Sequence, residues 1–130
     1  MAVTVTNSTI AAFNTVAAVT SNAATSAATA DGTAEVFTIT PTETTARLLV
    51  LIGGTGAAAD GDITYSFAAG DFWAGAAVTG TVTKNTEKII QVETSKVLQD
   101  DGTIALTLTP VSTDSLLTNH SAYVKVFELY

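Results

Sequence analysis

Cysteine is absent from this 130-residue chain, proline occurs twice, and histidine and tryptophan occur once each. Without a thiol there is no disulfide staple, no thiolate nucleophile, and no zinc–cysteine or iron–sulfur site, so a core must hold by packing alone. A chain of this length buries one such core and not two independent ones. Cations are almost as sparse: Arg47, Lys84, Lys88, Lys96 and Lys125 are scattered among twelve acids, for a formal charge of −7 and a pI near 4.2. Counterion-release binding to phosphate backbones needs cations in clusters, so no nucleic-acid partner is expected. Long hydrophobic runs are missing too. Hydrophobic residues make up 47% of the chain and the mean hydropathy is +0.39, but the excess lies in alanine and short runs, none approaching the roughly 18 residues that span a bilayer. No basic segment followed by an apolar stretch opens the chain, so neither a secretory leader nor a membrane partner is expected. The surplus of apolar surface suits a chain covered by a partner.

What is present is short alternating runs between turn signals. Residues 48–73, LLVLIGGTGAAADGDITYSFAAGDFW, form the centre of the pattern. Residues 48–52 carry no polar side chain and read as a strand buried on both faces, whereas Ile63, Tyr65 and Phe67 alternate with Thr64 and Ser66 as a half-exposed strand does. Residues 33–40 alternate after an Asp31-Gly32 turn, end at Pro41, and are placed to form a hairpin with 48–52. Further runs follow at 78–82 up to a Lys84-Asn85 turn and at 88–92. An Asp100-Asp101-Gly102 turn then opens a run in which Ile104, Leu106 and Leu108 face inward together, and 122–130 closes the chain as a docked strand. At the N-terminus Val3 and Val5 share one face of a short strand that Asn7, Ser8 and Thr9 break. Residues 10–19 read as extended, and the low-complexity residues 21–30 as an exposed loop or a loosely held edge segment. The expected fold is all-β, an antiparallel β-sandwich or a jelly-roll-like barrel with short strands. Residues 31–130 would be the β domain, with 1–30 an arm that either stands apart or joins it.

Catalytic chemistry is not signalled, and no cofactor or metal is expected. Asp60, Asp62, Asp100 and Asp101 do not continue into a calcium loop and read as turn residues. No carboxylate pair stands out for glycoside hydrolysis. His120 is the only candidate base for a nucleophile and reads as a surface turn histidine. Residues 53–56, GGTG, lack the lysine that completes a phosphate loop and read as a turn. Asn7 and Asn119 match the glycosylation sequon by chance. Phe72 and Trp73 sit between glycines in GDFWAG, where they suit a core plug or a subunit contact better than a sugar platform, so Trp73 is expected to be at least half buried in the domain or in such a contact.

The order GDFWAG, an alternating strand, the EKIIQVE strand and DDGTIALTLTP over residues 48–110 resembles small tailed-phage virion proteins, the capsid decoration or cement proteins. That resemblance implies a noncatalytic protein on the outer capsid surface of a virion, bound to the major capsid protein and grouped as a homo-oligomer, with a trimer favoured. Val3, Val5, Phe72 and Trp73 are the candidate capsid or subunit contacts. On this reading removal of residues 1–9 leaves the β domain folded and weakens attachment, because an arm can add a strand to an exposed edge. The alternative is a carbohydrate-binding or adhesive sandwich module with Tyr65, Phe72 and Trp73 as its platform.

Overall fold

The computed structural model describes residues 2–10, 14, 16–43, 47–57, 59–111 and 113–129. Residues 11–13 and 15 of the N-terminal segment, 44–46 after Pro41, and the terminal Met1 and Tyr130 lie outside the described residues. The strands are β1 (Ala2–Thr4), β2 (Ser8–Ile10), β3 (Asn22–Ala23), β4 (Glu35–Ile39), β5 (Arg47–Gly53), β6 (Ile63–Phe67), β7 (Val78–Val82), β8 (Glu87–Glu93), β9 (Ile104–Pro110) and β10 (Tyr123–Leu129). A 3-10 turn (Ser26–Thr29) and a single helical turn, α1 (Thr94–Val97), complete the described elements.

Two five-stranded sheets pack face to face as an all-β sandwich, without closing into a barrel. The first has the order β1-β4-β9-β6-β7. The second runs β2-β10-β5-β8, with β3 also pairing to β10. Period-two alternation sends one set of side chains from each strand inward. Phe37, Ile39, Phe67, Ile104, Leu106 and Leu108 from the first sheet meet Leu48, Val50, Ile52, Val124 and Val126 from the second, all fully buried.

The sheets are mixed and not purely antiparallel, because the N-terminal segment crosses from one to the other. β1 lies parallel to β4 at the edge of the first sheet, and β2 lies parallel to β10 at the edge of the second. Between them Val5 donates its N–H to the Thr38 carbonyl at 2.9 Å and its side chain enters the core. Buried Asn22 holds the crossing in place: its Oδ1 accepts the Thr6 N–H at 2.8 Å, and its Nδ2 donates to the Val124 carbonyl at 3.0 Å. The first strand therefore ends at Thr4, before the expected break, and Ser8 and Thr9 belong to a second strand, β2, in the other sheet. Of the two readings of residues 21–30 the edge segment holds, since Asn22–Ala23 pairs with β10 as β3, and the exposed loop does not, since Ala24 and Ala28 are core residues.

Two further expectations change. β4 and β5 are not a hairpin: β1 and β9 occupy both edges of β4, so the chain leaves through Pro41 to the other sheet. β5 is central in its hydrogen bonding, between β10 and β8, but it is covered on one face only. Leu48, Val50 and Ile52 are buried while Leu49 and Leu51 lie on the outer face, part-exposed.

Inward positions also carry two carboxylates. Glu35 accepts the Thr25 N–H at 2.9 Å and the Thr25 hydroxyl. Glu128 accepts Asn7 Nδ2 at 2.9 Å, the Thr42 N–H at 2.8 Å and the Thr42 hydroxyl at 2.7 Å. Charge-assisted bonds of this kind make a buried carboxylate tolerable, and here they fasten residues 7, 25 and 42 to the strands.

The two outer faces differ in chemistry. Across β9, β6 and β7 the first sheet presents Thr107, Ser66 and Thr79 in one row and Thr109, Thr64 and Thr81 in the next. The second presents Leu49, Leu51, Ile89, Phe127 and Leu129.

Candidate functional site: the Trp73 turn

The hairpin joining β6 to β7 is long, and it folds back onto the segment that follows β8. Gly70 donates its N–H to the Lys96 carbonyl at 2.8 Å, Asp71 to the Leu98 carbonyl at 3.1 Å, and Ala76 again to Lys96 at 2.9 Å. The Asp71 carboxylate accepts the Asp100 N–H at 3.0 Å, and the Gln99 amide donates to the Ala69 carbonyl at 3.0 Å. Gly70 is required here, since a Cβ at this position would lie 2.6 Å from the Leu98 carbonyl oxygen. Within the turn Gly75 donates to the Phe72 carbonyl at 3.0 Å, and Ala74 takes a positive φ of 66°. The support beneath is firm, because Val97 and Leu98 are buried core residues.

The consequence is an aromatic pair held outward by satisfied backbone. Trp73 is 97% exposed and Phe72 53% exposed. With Ser95 and Leu98 they line an open groove of about 340 Å³. Trp73 as a core plug is thus corrected: the turn's hydrogen bonds face the protein and its rings face solvent. A tryptophan left in water forgoes the largest burial gain of any side chain.

The other contact candidates lie elsewhere. Val5 is 7% exposed in the core and Val3 packs against the same cluster, so their apolar surface is already used within the chain. They are not brought together with Phe72 and Trp73.

At the opposite end of the sandwich lies a polar cluster that the sequence did not announce. His120 is 1% exposed, a buried histidine and not a surface one. Its Nε2 stands 3.5 Å from Asp114 Oδ2, which also accepts the Gly61 N–H at 2.5 Å. The His120 carbonyl accepts the Thr55 N–H at 2.5 Å, and a Cβ on Gly54 would lie 2.6 Å from that carbonyl oxygen. Gly54 and Gly56 thus serve close approach to the 114–122 segment, and Gly53 close approach of the Tyr123 ring. Asp60 accepts the Ala57 N–H at 2.6 Å and Asn119 Nδ2 at 3.1 Å, and these bonds hold its carboxyl below the usual carboxylate range. Asp101 is lowered in the same way by Thr103. These aspartates do the work of turn residues. The Asn7 and Asn119 side-chain amides are both engaged in internal bonds. Among the described residues no group of His, Asp and Glu is arranged to hold a metal ion. His120 and Asp114 belong to one loop, and it is the His120 carbonyl bonded to Thr55 and the Asp114 carboxylate bonded to Gly61 that tie this loop to the 53–61 segment, with the His120 side chain closed at 1% exposure.

The buried state of Glu35 and Glu128 was readable, since both occupy the inward phase of alternating strands; that of His120 had no comparable signal. No family model, curated protein or solved structure matches the chain.

Proposed function

We propose that this chain is a noncatalytic structural protein that binds the outer face of a phage capsid shell and uses the Trp73 turn as its docking element. The observation that carries the reading is the aromatic pair Phe72 and Trp73, exposed together on a turn whose backbone is fixed to the core beneath it. Tryptophan in such a position is the residue type that contributes most to protein contacts, and prior rigidity lowers the entropy lost on binding. The sequence resemblance supplies the shell and its major capsid protein as the partner.

The groove also bears on the carbohydrate alternative. A sugar needs hydrogen-bonding groups beside the ring that it stacks on. Ser95 is the sole polar side chain among the described lining residues, while the nearby Asp71 carboxylate and Gln99 amide are bonded within the chain. An apolar protein side chain fits this lining better.

The test mixes undecorated expanded shells of the cognate capsid protein with wild-type protein and with Trp73→Ala, then sediments them. Wild type is expected to pellet with the shells at micromolar concentration. Trp73→Ala is expected to lose about 2 kcal/mol or more of binding, about thirtyfold in affinity, as hot-spot truncations do, with its circular dichroism unchanged. Wild type remaining in the supernatant would refute shell binding, and equal pelleting of both proteins would remove the turn from the contact. Retention on a glycan array would favour the alternative.

A further inference from the structure

The two loops that build the Trp73 groove also set charge of one sign along its edge. Asp71 precedes Phe72 in the turn, and Asp100 follows Leu98 by two residues, so each acid neighbours a residue that lines the groove. The Asp71 carboxylate accepts the Asp100 N–H at 3.0 Å, which brings the two residues together, and both are exposed. Asp101, next in the chain, bonds to the Thr103 N–H and hydroxyl. At another margin Glu93 Oε1 accepts the hydroxyl of the groove residue Ser95 at 3.2 Å. The donors in these bonds are backbone N–H groups and hydroxyls, so none of them brings a positive charge. The cations nearby are part-buried Lys96, on α1, and Arg47, which lies across from Glu93 on β5 and offsets it. Asp71, Asp100 and Asp101 are thus left facing solvent, in loops that also present an indole at 97% exposure.

We propose that the groove takes an arginine-bearing segment of the partner protein, its guanidinium shared between the Trp73 indole and the Asp71–Asp100 margin, and a neighbouring aliphatic side chain against Phe72 and Leu98. Charge and ring chemistry together select that occupant. The face of an exposed indole attracts a cation, and most often a guanidinium, through the ring quadrupole. A guanidinium is planar and weakly hydrated, so it stacks on a ring and bonds a carboxylate at the same time; an ammonium is a compact, strongly hydrated charge that does this less well. The same acids repel phosphate, so neither a nucleic acid nor an anionic headgroup is accepted here.

Complementary charge steers a partner in solution as well as holding it once bound, and both effects weaken as salt rises. The inference rests on the shell reading for the identity of the partner, the capsid protein, and not for the chemistry that the groove accepts. That chemistry is therefore open to test without a shell.

Titration of the Trp73 fluorescence with the peptide acetyl-Leu-Arg-Leu-amide is that test. A saturable change is expected at low salt with a dissociation constant of about 1 mM. The peptide with citrulline in place of arginine, a neutral isostere, is expected to bind about tenfold more weakly. Asp71→Asn combined with Asp100→Asn is expected to weaken the arginine peptide about fivefold and leave the citrulline peptide unchanged, since an asparagine oxygen still accepts the N–H at position 100. Should the pair disturb folding, as circular dichroism would show, Asp100→Asn alone serves, because only the Asp100 backbone bonds to Asp71. Asp31→Asn, at an exposed acid before β4, is expected to change neither peptide. Equal binding of the two peptides, no saturable response, or an arginine preference that survives the Asp100→Asn changes would overturn the inference. Shell pelleting keeps the two readings apart. If wild type and the paired variant pellet equally, the shell reading stands and the arginine contact falls; if neither pellets while the arginine preference is seen in solution, the groove keeps its chemistry and the shell reading falls.

Discussion

A chain lacking residues 1–9 is expected to lose its cooperative thermal transition, and not merely its grip on a partner. Sequence alone cast this segment as a separable arm; the structure makes it an edge strand of both sheets. Its removal takes the Val5 side chain out of the core, at about 1.5 to 3 kcal/mol. It strips the backbone bonds that β1 makes with β4 and β2 with β10, each worth about 0.5 to 1.5 kcal/mol. It also takes Asn7 from the fully buried Glu128, and leaving a buried charged group short of a partner costs about 1 to 3 kcal/mol. Together these losses are comparable to the roughly 5 to 15 kcal/mol by which a whole domain is stable. The deletion further opens the edges of β4 and β10, which invites aggregation. Calorimetry of the truncated protein is the check, and a soluble product melting within a few degrees of wild type would show that the segment is dispensable.

Leu106→Ala is expected to cost about 2 to 5 kcal/mol, read from urea denaturation with an unchanged slope. Leu106 is fully buried on β9, the middle strand of its sheet, opposite Phe37 on β4 and Phe67 on β6. Pairing on both sides fixes the backbone, so the cavity has little room to collapse and the upper part of the range applies. A loss below about 1 kcal/mol would mean that the core relaxes around the site.

Strands such as β4, β6 and β9 were legible because alternation announces the inward face and Asp, Gly or Pro marks the ends, as for Ile104, Leu106 and Leu108 between Gly102 and Pro110. Sheet membership was not legible. Whether β4 pairs with β5 depends on which edges are already taken, and a strand carries no local mark of that. Short N-terminal strands escaped for a related reason: Ser8–Ile10 and Asn22–Ala23 are strands only because β10 offers them an edge and Asn22 joins them. Leu49 and Leu51 misled in the other direction, since an unbroken apolar run looks the same whether its second face meets its own chain or is left for another. The Trp73 turn was visible from its glycines and aromatics, but its outward direction was not. That direction follows from bonds to Lys96 and Leu98, about twenty-five residues away and tied to no motif.

The chain contains one tryptophan, and that residue is the proposed docking element, so its fluorescence reports on the central claim directly. In the free protein Trp73, at 97% exposure, is expected to emit near the wavelength of tryptophan in water. Adding undecorated expanded shells to saturation is expected to shift that emission to the blue as the indole leaves water. An emission unchanged in protein that has pelleted with the shells would place the contact elsewhere and contradict the account.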